Sequence, residues 1–535
     1  VRGWSLSRRA PTFGTRSVPV SPPAAEAPMT PTGLDSESIV VIGAGFGGLS
    51  AACHLADAGA DVTVVERRDH LGGVAGRIER DGFRFDTGPS WYLMPDVFER
   101  FFGRFGREPS DYYSLTRLDP NYRVFWKDGD SAAVPADRAG QRALFASYES
   151  GADDALDAYL SDAAAAYEVA MEEFVYERRP RMRDWFDPSM LRAARGLPLL
   201  GSMDDHVADY FEHPKLRQLV EYTLVFLGGS PYNTPALYSL MSHVDYTLGV
   251  HYPTGGMASV VDGVARLARD LGVTFETRTP VTGLEPTADG LTVTTTAGQR
   301  TVDRVVSNAP PSYTERELLP AGRGDRDPDY WASRTYAPSA FVLYLGVEGD
   351  LPALSHHTLV LPTDWRSHFE SIFDRPSWPS DPSYYVNVPS RTDDGVAPDG
   401  HSTVVVLVPI APGLDDGPDQ RARFREAVLD DLAAHTGVDL RDRIVVERSA
   451  CVTEFASMGY PQGTALGLAH TLGQTGPFRP SQRSAAVTGL YYTGSFTDPG
   501  IGVPMCLISG AHVADAVQAD VGVDAETGVR SLVPF

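Results

Sequence analysis

Ile39-Val40-Val41-Ile42 runs straight into Gly43, Gly45 and Gly48 in G-x-G-x-x-G spacing, and that junction constrains the fold more than any other stretch. The short β-branched run predicts a buried parallel strand. The first glycine permits a tight turn, the second lets backbone approach a pyrophosphate, and the third lets helix and strand pack closely. From 46 to 58 the pattern is helical, with Leu49, Ala52, Cys53 and Ala56 on one face. Free N–H groups and partial positive charge at the start of that helix make an anion site. Gly59 stops the helix, and Val62-Thr63-Val64-Val65 predicts a second strand ending at Glu66. An acid about 20 residues past the first glycine is where a ribose diol is held, and its charge disfavours the 2′-phosphate of NADP. Strand, helix, strand and acid in this order predict a dinucleotide-binding unit.

Leu71-Gly72-Gly73 supplies a second glycine pair that lets backbone close on the same dinucleotide. This extension resembles the FAD fingerprint of glutathione-reductase-like flavoproteins, in particular their amine oxidase and phytoene desaturase branch. FAD rather than NAD is what the resemblance implies.

At 535 residues the chain is long enough for two or more domains. Its formal charge of −24 sets it against phosphate backbones, so nucleic acid is not an expected partner. Lysine occurs only at 127 and 215. Abundant acid with so little lysine resembles proteins of salt-accumulating halophiles, the alternative being a base-composition bias alone. Cys53, Cys451 and Cys506 show no metal or redox spacing, and an odd count argues against a disulfide framework. No metal is expected. No apolar run reaches the length of about 18 residues that a transmembrane helix needs.

Residues 1–28 carry four arginines against the single acid Glu26, with several prolines and no apolar periodicity. They read as a disordered tail or an upstream extension, with Met29 as the expected natural start. Beyond the first unit, 82–90 predicts an alternating strand closing in a Gly-Pro turn, and 118–129 a hairpin. Helices are expected over most of 141–226, then over 258–271 and 422–436. Strands are expected at 274–276, 291–296 and 302–307, with Val281 in a short turn beside the adenine. A second sheet is expected from 340–347, 357–361, 384–388 and 403–410. A strand, a glycine-rich turn and a last helix follow Gly489.

Nucleotide-domain elements thus come early, in the middle and at the end. The expected fold is α/β, a Rossmann-like, glutathione-reductase-like FAD-binding domain with an inserted α+β substrate domain. The expected division is a tail (1–37), FAD-domain segments 38–115, 251–330 and 451–535, and substrate-domain segments 116–250 and 331–450.

Phe83-x-Phe85-Asp86-x-Gly88-Pro89, Leu118-Asp119-Pro120-x-Tyr122-Arg123, Tyr252-Pro253-x-Gly255-Gly256 and Pro499-Gly500-x-Gly502-Val503-Pro504 stand in the order seen in bacterial-type phytoene desaturases. The resemblance covers roughly 39–517 and is most specific at the last motif. There Asp498 stands where a histidine is common, Phe496 where a small residue is common, and Val74 where an arginine often follows the glycine pair. Together, fingerprint and resemblance place FAD against Gly43, Gly45, Phe46, Gly47, Gly48, Glu66, Arg67, Gly72, Gly73, Gly88, Pro89, Ser90, Val281, Gly494, Ser495, Asp498, Gly502, Val503 and Pro504. Glycines at 500 and 502 let a flat ring approach backbone, and N–H groups at the following helix start stabilise charge on a reduced flavin.

The resemblance implies hydride transfer from a C40 polyene precursor to flavin, with quinone or oxygen as the final electron acceptor. Phytoene is the expected substrate, and 3,4-desaturation of a later carotenoid is the alternative on the same scaffold. Asp119, Tyr122 and Arg123, and more loosely His251 and Tyr252, are the polar candidates for a catalytic role. A flavin amine oxidase and a non-redox prenyl carrier, as in the Rab escort relatives, are the rival readings; a carrier has no need of the intact FAD fingerprint. A carotenoid lives in lipid, so a membrane-facing entry is expected. Residues 178–200 hold six arginines and two aspartates among interleaved apolar residues, which points to Arg181, Arg183, Trp185 and Phe186 at an interface with anionic lipid. The alternative for this segment is an ordinary substrate-domain helix. The expected location is cytoplasmic, peripheral on the inner face of the cell membrane.

Overall fold

The computed structural model describes residues 33–35, 37–179 and 201–527. The expected tail and the segment holding Arg181, Arg183, Trp185 and Phe186 lie outside the described residues. The β-branched run forms the strand Ser38–Ile42, buried at all but its first position. It lies at the centre of a parallel sheet ordered Leu490–Tyr492, Arg304–Ser307, Ser38–Ile42, Asp61–Val65, Thr274–Glu276. Parallel neighbours need a crossover, and the helix Phe46–Asp57 supplies the first. The chain leaves the central strand toward Asp61–Val65 and returns much later on its other side. Strand order therefore reverses at the carboxyl end of Ser38–Ile42, where open α/β sheets bind their ligands. Strands from three distant stretches of chain share this sheet.

Two expected boundaries are corrected. The run 302–307 is not one strand: Gly298–Val302 belongs to an antiparallel meander with Val281–Thr287 and Gly290–Thr295, and Arg304–Ser307 to the parallel sheet. Asp303 makes the break, its carboxylate accepting from the Ser38 N–H at 2.9 Å and the Ser38 hydroxyl at 2.7 Å. Val281 opens a strand rather than a turn, with a bulge between Val281 and Gly283 that accommodates the irregular entry.

The second sheet has seven strands, ordered Ile444–Ala450, Ser339–Glu348, His401–Ile410, Tyr384–Asn387, His357–Leu361, Tyr122–Trp126, Ser131–Val134. All neighbours are antiparallel except His357–Leu361 beside Tyr122–Trp126. Ser339–Glu348 is buried at nine of its ten positions, so it reads as a continuous apolar run because both faces are covered. Helices and 3₁₀ or π turns over 138–175 and 203–248 pack against one face of this sheet around Trp126, Tyr159 and Phe211. No helix among the described residues is long and apolar enough to cross a membrane.

The terminal helix Val503–Thr527 crosses Phe46–Asp57 closely: Ser50 donates to the Leu507 carbonyl at 2.6 Å, and a Cβ on Gly510 would sit 2.5 Å from the Ser50 side chain. This contact brings the first turns of both helices to one place.

Candidate active site

At the carboxyl end of Ser38–Ile42 the chain turns through Gly43, at φ +92°, and donates its N–H to the Val65 carbonyl at 2.9 Å. The first turn of Phe46–Asp57 leaves N–H groups without intrahelical acceptors, aimed at the crevice. Glu66 is 5% exposed, and its two carboxylate oxygens accept the N–H groups of Ala44 and Arg68, each at 2.9 Å. Each oxygen keeps lone-pair capacity for a hydroxyl. The Gly72 N–H donates to the Ala44 carbonyl at 2.8 Å and Arg68 to the Gly73 carbonyl at 2.9 Å, folding the second glycine pair onto the first turn.

Three parts of the chain meet at Asn308, which follows the strand Arg304–Ser307. A Cβ on Gly45 would lie 2.6 Å from its amide nitrogen, and one on Gly47 or Gly494 would lie 2.7 Å from its amide oxygen. These glycines leave bare backbone where a pyrophosphate needs it, so the residues present fit a dinucleotide. Sequence reasoning missed Asn308; one asparagine after a strand carries no spacing signal.

A cavity of about 590 Å3 runs from this turn into the space between the two sheets. Every residue expected at FAD lines it except Gly48. Gly48 faces away: a Cβ there would overlap the Gly43 carbonyl oxygen outright, which is the helix–strand packing role of a third glycine. Val281 lines the cavity despite its changed local structure. The turn 494–502 is held by Thr497, whose hydroxyl donates to the Gly494 carbonyl at 3.0 Å, and by Ser509, which accepts the Gly494 N–H at 3.1 Å. Phe496 is buried against Trp331, Tyr336 and Leu468, filling space behind the turn.

The far half of the cavity is apolar, walled by Leu227, Leu240, Met241, Leu359, Leu361 and Trp365. Trp91, next to the turn at Gly88-Pro89-Ser90, stacks on His357 with ring centroids 4.0 Å apart and 8° between planes. The His357 ring in turn hydrogen-bonds the Tyr385 hydroxyl at 2.6 Å. A long apolar chamber opening onto a dinucleotide site suits a hydrocarbon ligand laid against a flat cofactor.

The catalytic candidates do not line this cavity. Asp119 is exposed and accepts the Ala136 N–H at 3.1 Å, closing a turn. Tyr122 is fully buried and donates to Asp245 at 3.1 Å behind the aromatic wall. The Arg123 guanidinium lies 5.9 Å from the Phe125 ring centre, on the strand Tyr122–Trp126. His251 and Tyr252 stand in a short strand, with Tyr252 donating to Asp393 at 3.0 Å. The motif that carries Asp119, Tyr122 and Arg123 starts a strand of the second sheet, with Asp119 closing a turn and the Tyr122 hydroxyl engaged in the core.

Polar chemistry concentrates instead behind Gly500. Arg479 is 6% exposed and donates to four carbonyls: Thr497 at 3.0 Å, Gln474 at 3.2 Å, Leu468 at 3.1 Å and Ser495 at 2.7 Å. Burial lowers its pKa to about 10, leaving it charged at neutral pH. His470 accepts the Ile501 N–H on Nε2 at 3.2 Å, so Nδ1 carries the proton toward the Tyr238 hydroxyl at 2.8 Å. Burial, then the Arg479 charge, hold His470 well below the usual histidine range, so it is neutral. Neither residue stands in a motif that sequence alone singles out.

Comparison with known proteins agrees with this geometry. The family model for flavin containing amine oxidoreductases matches residues 46–518. Over 491 residues the chain is 59% identical to a carotenoid 3,4-desaturase of Haloarcula japonica, covering 91% of this chain and 99% of that protein. A ζ-carotene-forming phytoene desaturase of Myxococcus xanthus is 34% identical over 493 residues, covering 89% and 93%. Among solved structures, putrescine oxidase bound to putrescine superposes with a TM-score of 0.58 at 18% identity, covering 90% of this chain and 99% of that one. An oxidoreductase from Methanosarcina mazei gives 0.57 at 17% identity, covering 89% and 100%. The structural likenesses show the fold. The haloarchaeal relative also accords with the acidic, lysine-poor composition. The intact FAD cradle and these relatives set aside the carrier reading, and the chain belongs to the flavin containing amine oxidoreductase family, as an FAD-dependent oxidoreductase of its carotenoid desaturase branch.

Proposed function

We propose that the protein introduces the 3,4 double bond into a carotenoid whose central polyene is already conjugated. The observation that carries this reading is the 59% identity, along nearly the whole length of both chains, to a protein named for that step; phytoene desaturases stand at 34% and 30%. Phytoene, the first expectation, is therefore the second choice. The cavity supports the chemistry: an extended hydrocarbon fits its apolar half, and the saturated carbons near one chain end can lie beside the turns at 88–90 and 494–502. FAD, when bound, supplies the oxidant. The protein holds it through Glu66, the glycine turn and two helix starts, and excludes water through Trp91, Leu359 and Leu361.

Expression in cells that accumulate lycopene, and separately in cells that accumulate phytoene, tests the step. A 3,4-didehydro product from lycopene with phytoene unchanged is the expected result. Conversion of phytoene to coloured products would move the assignment to the earlier step.

The substrate's solubility supports peripheral attachment to the inner face of the cell membrane, through the arginine-rich segment, with quinone or oxygen reoxidising the flavin. Changing Arg181, Arg183 and Trp185 together to alanine is expected to lower co-sedimentation with anionic vesicles by about tenfold or more, at about 1 kcal/mol per basic residue. Equal sedimentation of variant and parent would remove that surface from the proposal.

A further inference from the structure

We propose that Asp498 is the general base of the desaturation, taking the proton from the carbon beside the one that gives up hydride. This rests on the desaturase reading above and concerns its unassigned half, the proton.

Among the described residues that line the cavity, Glu66 and Asp498 are the two carboxylates. Glu66 sits at the ribose end with both oxygens on backbone N–H groups. Asp498 lies in the turn 494–502, on the cavity wall, with its side chain 29% exposed. Among the described residues nothing donates a hydrogen bond to its carboxylate; the nearest ring nitrogen is the unprotonated Nδ1 of His512, 3.9 Å away. Asp86, the half-buried carboxylate of the family-like strand, is different: it accepts the N–H groups of Met257 and Ala258 and caps a helix.

The other titratable groups on this wall cannot take a proton at neutral pH. Both nitrogens of His470 are engaged, and it is held neutral. Burial raises the Tyr238 phenol and pushes the Cys506 thiol up to about 12. Asp498 is pushed up to about 6 by burial, with Arg479 and then Arg179 pulling it back. The groups facing it are these two arginines, His512 and Tyr238, whose own phenol it helps to raise. It is thus ionised above pH 6 and more basic than an ordinary carboxylate.

FAD, when bound, is the oxidant that accepts hydride with the electron pair of the first C–H bond. The second C–H bond then breaks; its electron pair becomes the new π bond, and its proton passes to an Asp498 oxygen. A C–H beside a polyene-stabilised cation is strongly acidic, so a weak base suffices. His512 donates from Nε2 to the Tyr176 carbonyl at 3.2 Å, which leaves a bare Nδ1 facing Asp498 as the way out.

The test combines Asp498→Asn and Asp498→His in the FAD-loaded protein, mixed anaerobically with lycopene in detergent micelles across pH 5–8. Parent protein should bleach its flavin faster as pH rises through about 6. Asp498→Asn should bind lycopene with unchanged affinity, bleach about 100-fold or more slowly, and lose the pH limb. Asp498→His should recover part of the rate with the limb displaced. A bleaching rate in Asp498→Asn equal to the parent, or a limb that persists there, would overturn the proposal. If Asp498→Asn loses FAD, Asp498→His decides alone, and an undisplaced limb overturns it. If the parent itself fails to bleach with lycopene, the substrate assignment fails, and infrared titration of the substrate-free protein still decides the base. A carboxyl band titrating near 6 and absent in Asp498→Asn upholds it; one titrating near 4 does not.

Discussion

Replacing Gly48 with alanine is expected to yield a protein that purifies without flavin. The added Cβ meets the Gly43 carbonyl oxygen inside any tolerable separation and also lies 3.1 Å from the Asn308 Cβ and 3.3 Å from a Val41 methyl. None of these is the free end of a flexible side chain, so the helix Phe46–Asp57 must move off the central strand. Overpacking of a close contact costs about 1–3 kcal/mol where side chains can yield, and here the obstacle is backbone. The same shift displaces the first-turn N–H groups that hold a pyrophosphate, so FAD affinity should fall by at least about 100-fold, or about 2.7 kcal/mol. The ratio of flavin to protein absorbance after gel filtration reads this directly. Gly103 is the control: a Cβ there meets nothing within 4 Å, and Gly103→Ala should hold FAD normally and stabilise by up to about 1 kcal/mol.

Arg479→Met should be the most destabilising single change near the cavity. The side chain joins the loop at Leu468 and Gln474 to the turn at Ser495 and Thr497 through four donated hydrogen bonds. Methionine fills the volume but leaves four carbonyls without their donor in a site closed to water. Leaving a buried carbonyl without its donor costs about 1–3 kcal/mol, so four of them together should cost at least about 3 kcal/mol. Lysine keeps the charge but has one compact ammonium with three donors in place of a planar fork with five. Arg479→Lys should therefore recover less than half of the loss. Urea unfolding followed by release of flavin fluorescence should give the order parent, lysine, methionine.

The dinucleotide half was legible because its chemistry is local. Strand, glycine turn, helix and acid are successive in the chain, and each residue type is forced by backbone geometry at its own position. Glu66 and Gly43, Gly45, Gly47, Gly72 and Gly73 accordingly line the cavity, and Gly48 packs helix against strand behind it. The motif at 499–504 was legible for the same reason. The apolar chamber was not, because its walls come from short helical turns over 170–175 and 222–241 and from four strands of the second sheet. No window of sequence carries its periodicity. The motif around Asp119 lies away from the cavity, because polar residues next to a proline are as useful for closing a turn as for chemistry. Arg479 and His470 act through carbonyls and an N–H of residues 5 to 31 positions away, and no spacing announces that. The break at Asp303 needed its partner, Ser38, which lies 265 residues earlier.

The most direct test is anaerobic titration of the FAD-loaded protein with lycopene, following flavin absorbance and analysing the extracted pigment. Two electrons per flavin should be taken up as one 3,4 double bond appears in each carotenoid consumed. A flavin that stays oxidised with lycopene but is bleached by phytoene would place the enzyme at the earlier step. One that stays oxidised with every carotenoid, while an amine bleaches it, would contradict the assignment of the apolar chamber to a polyene.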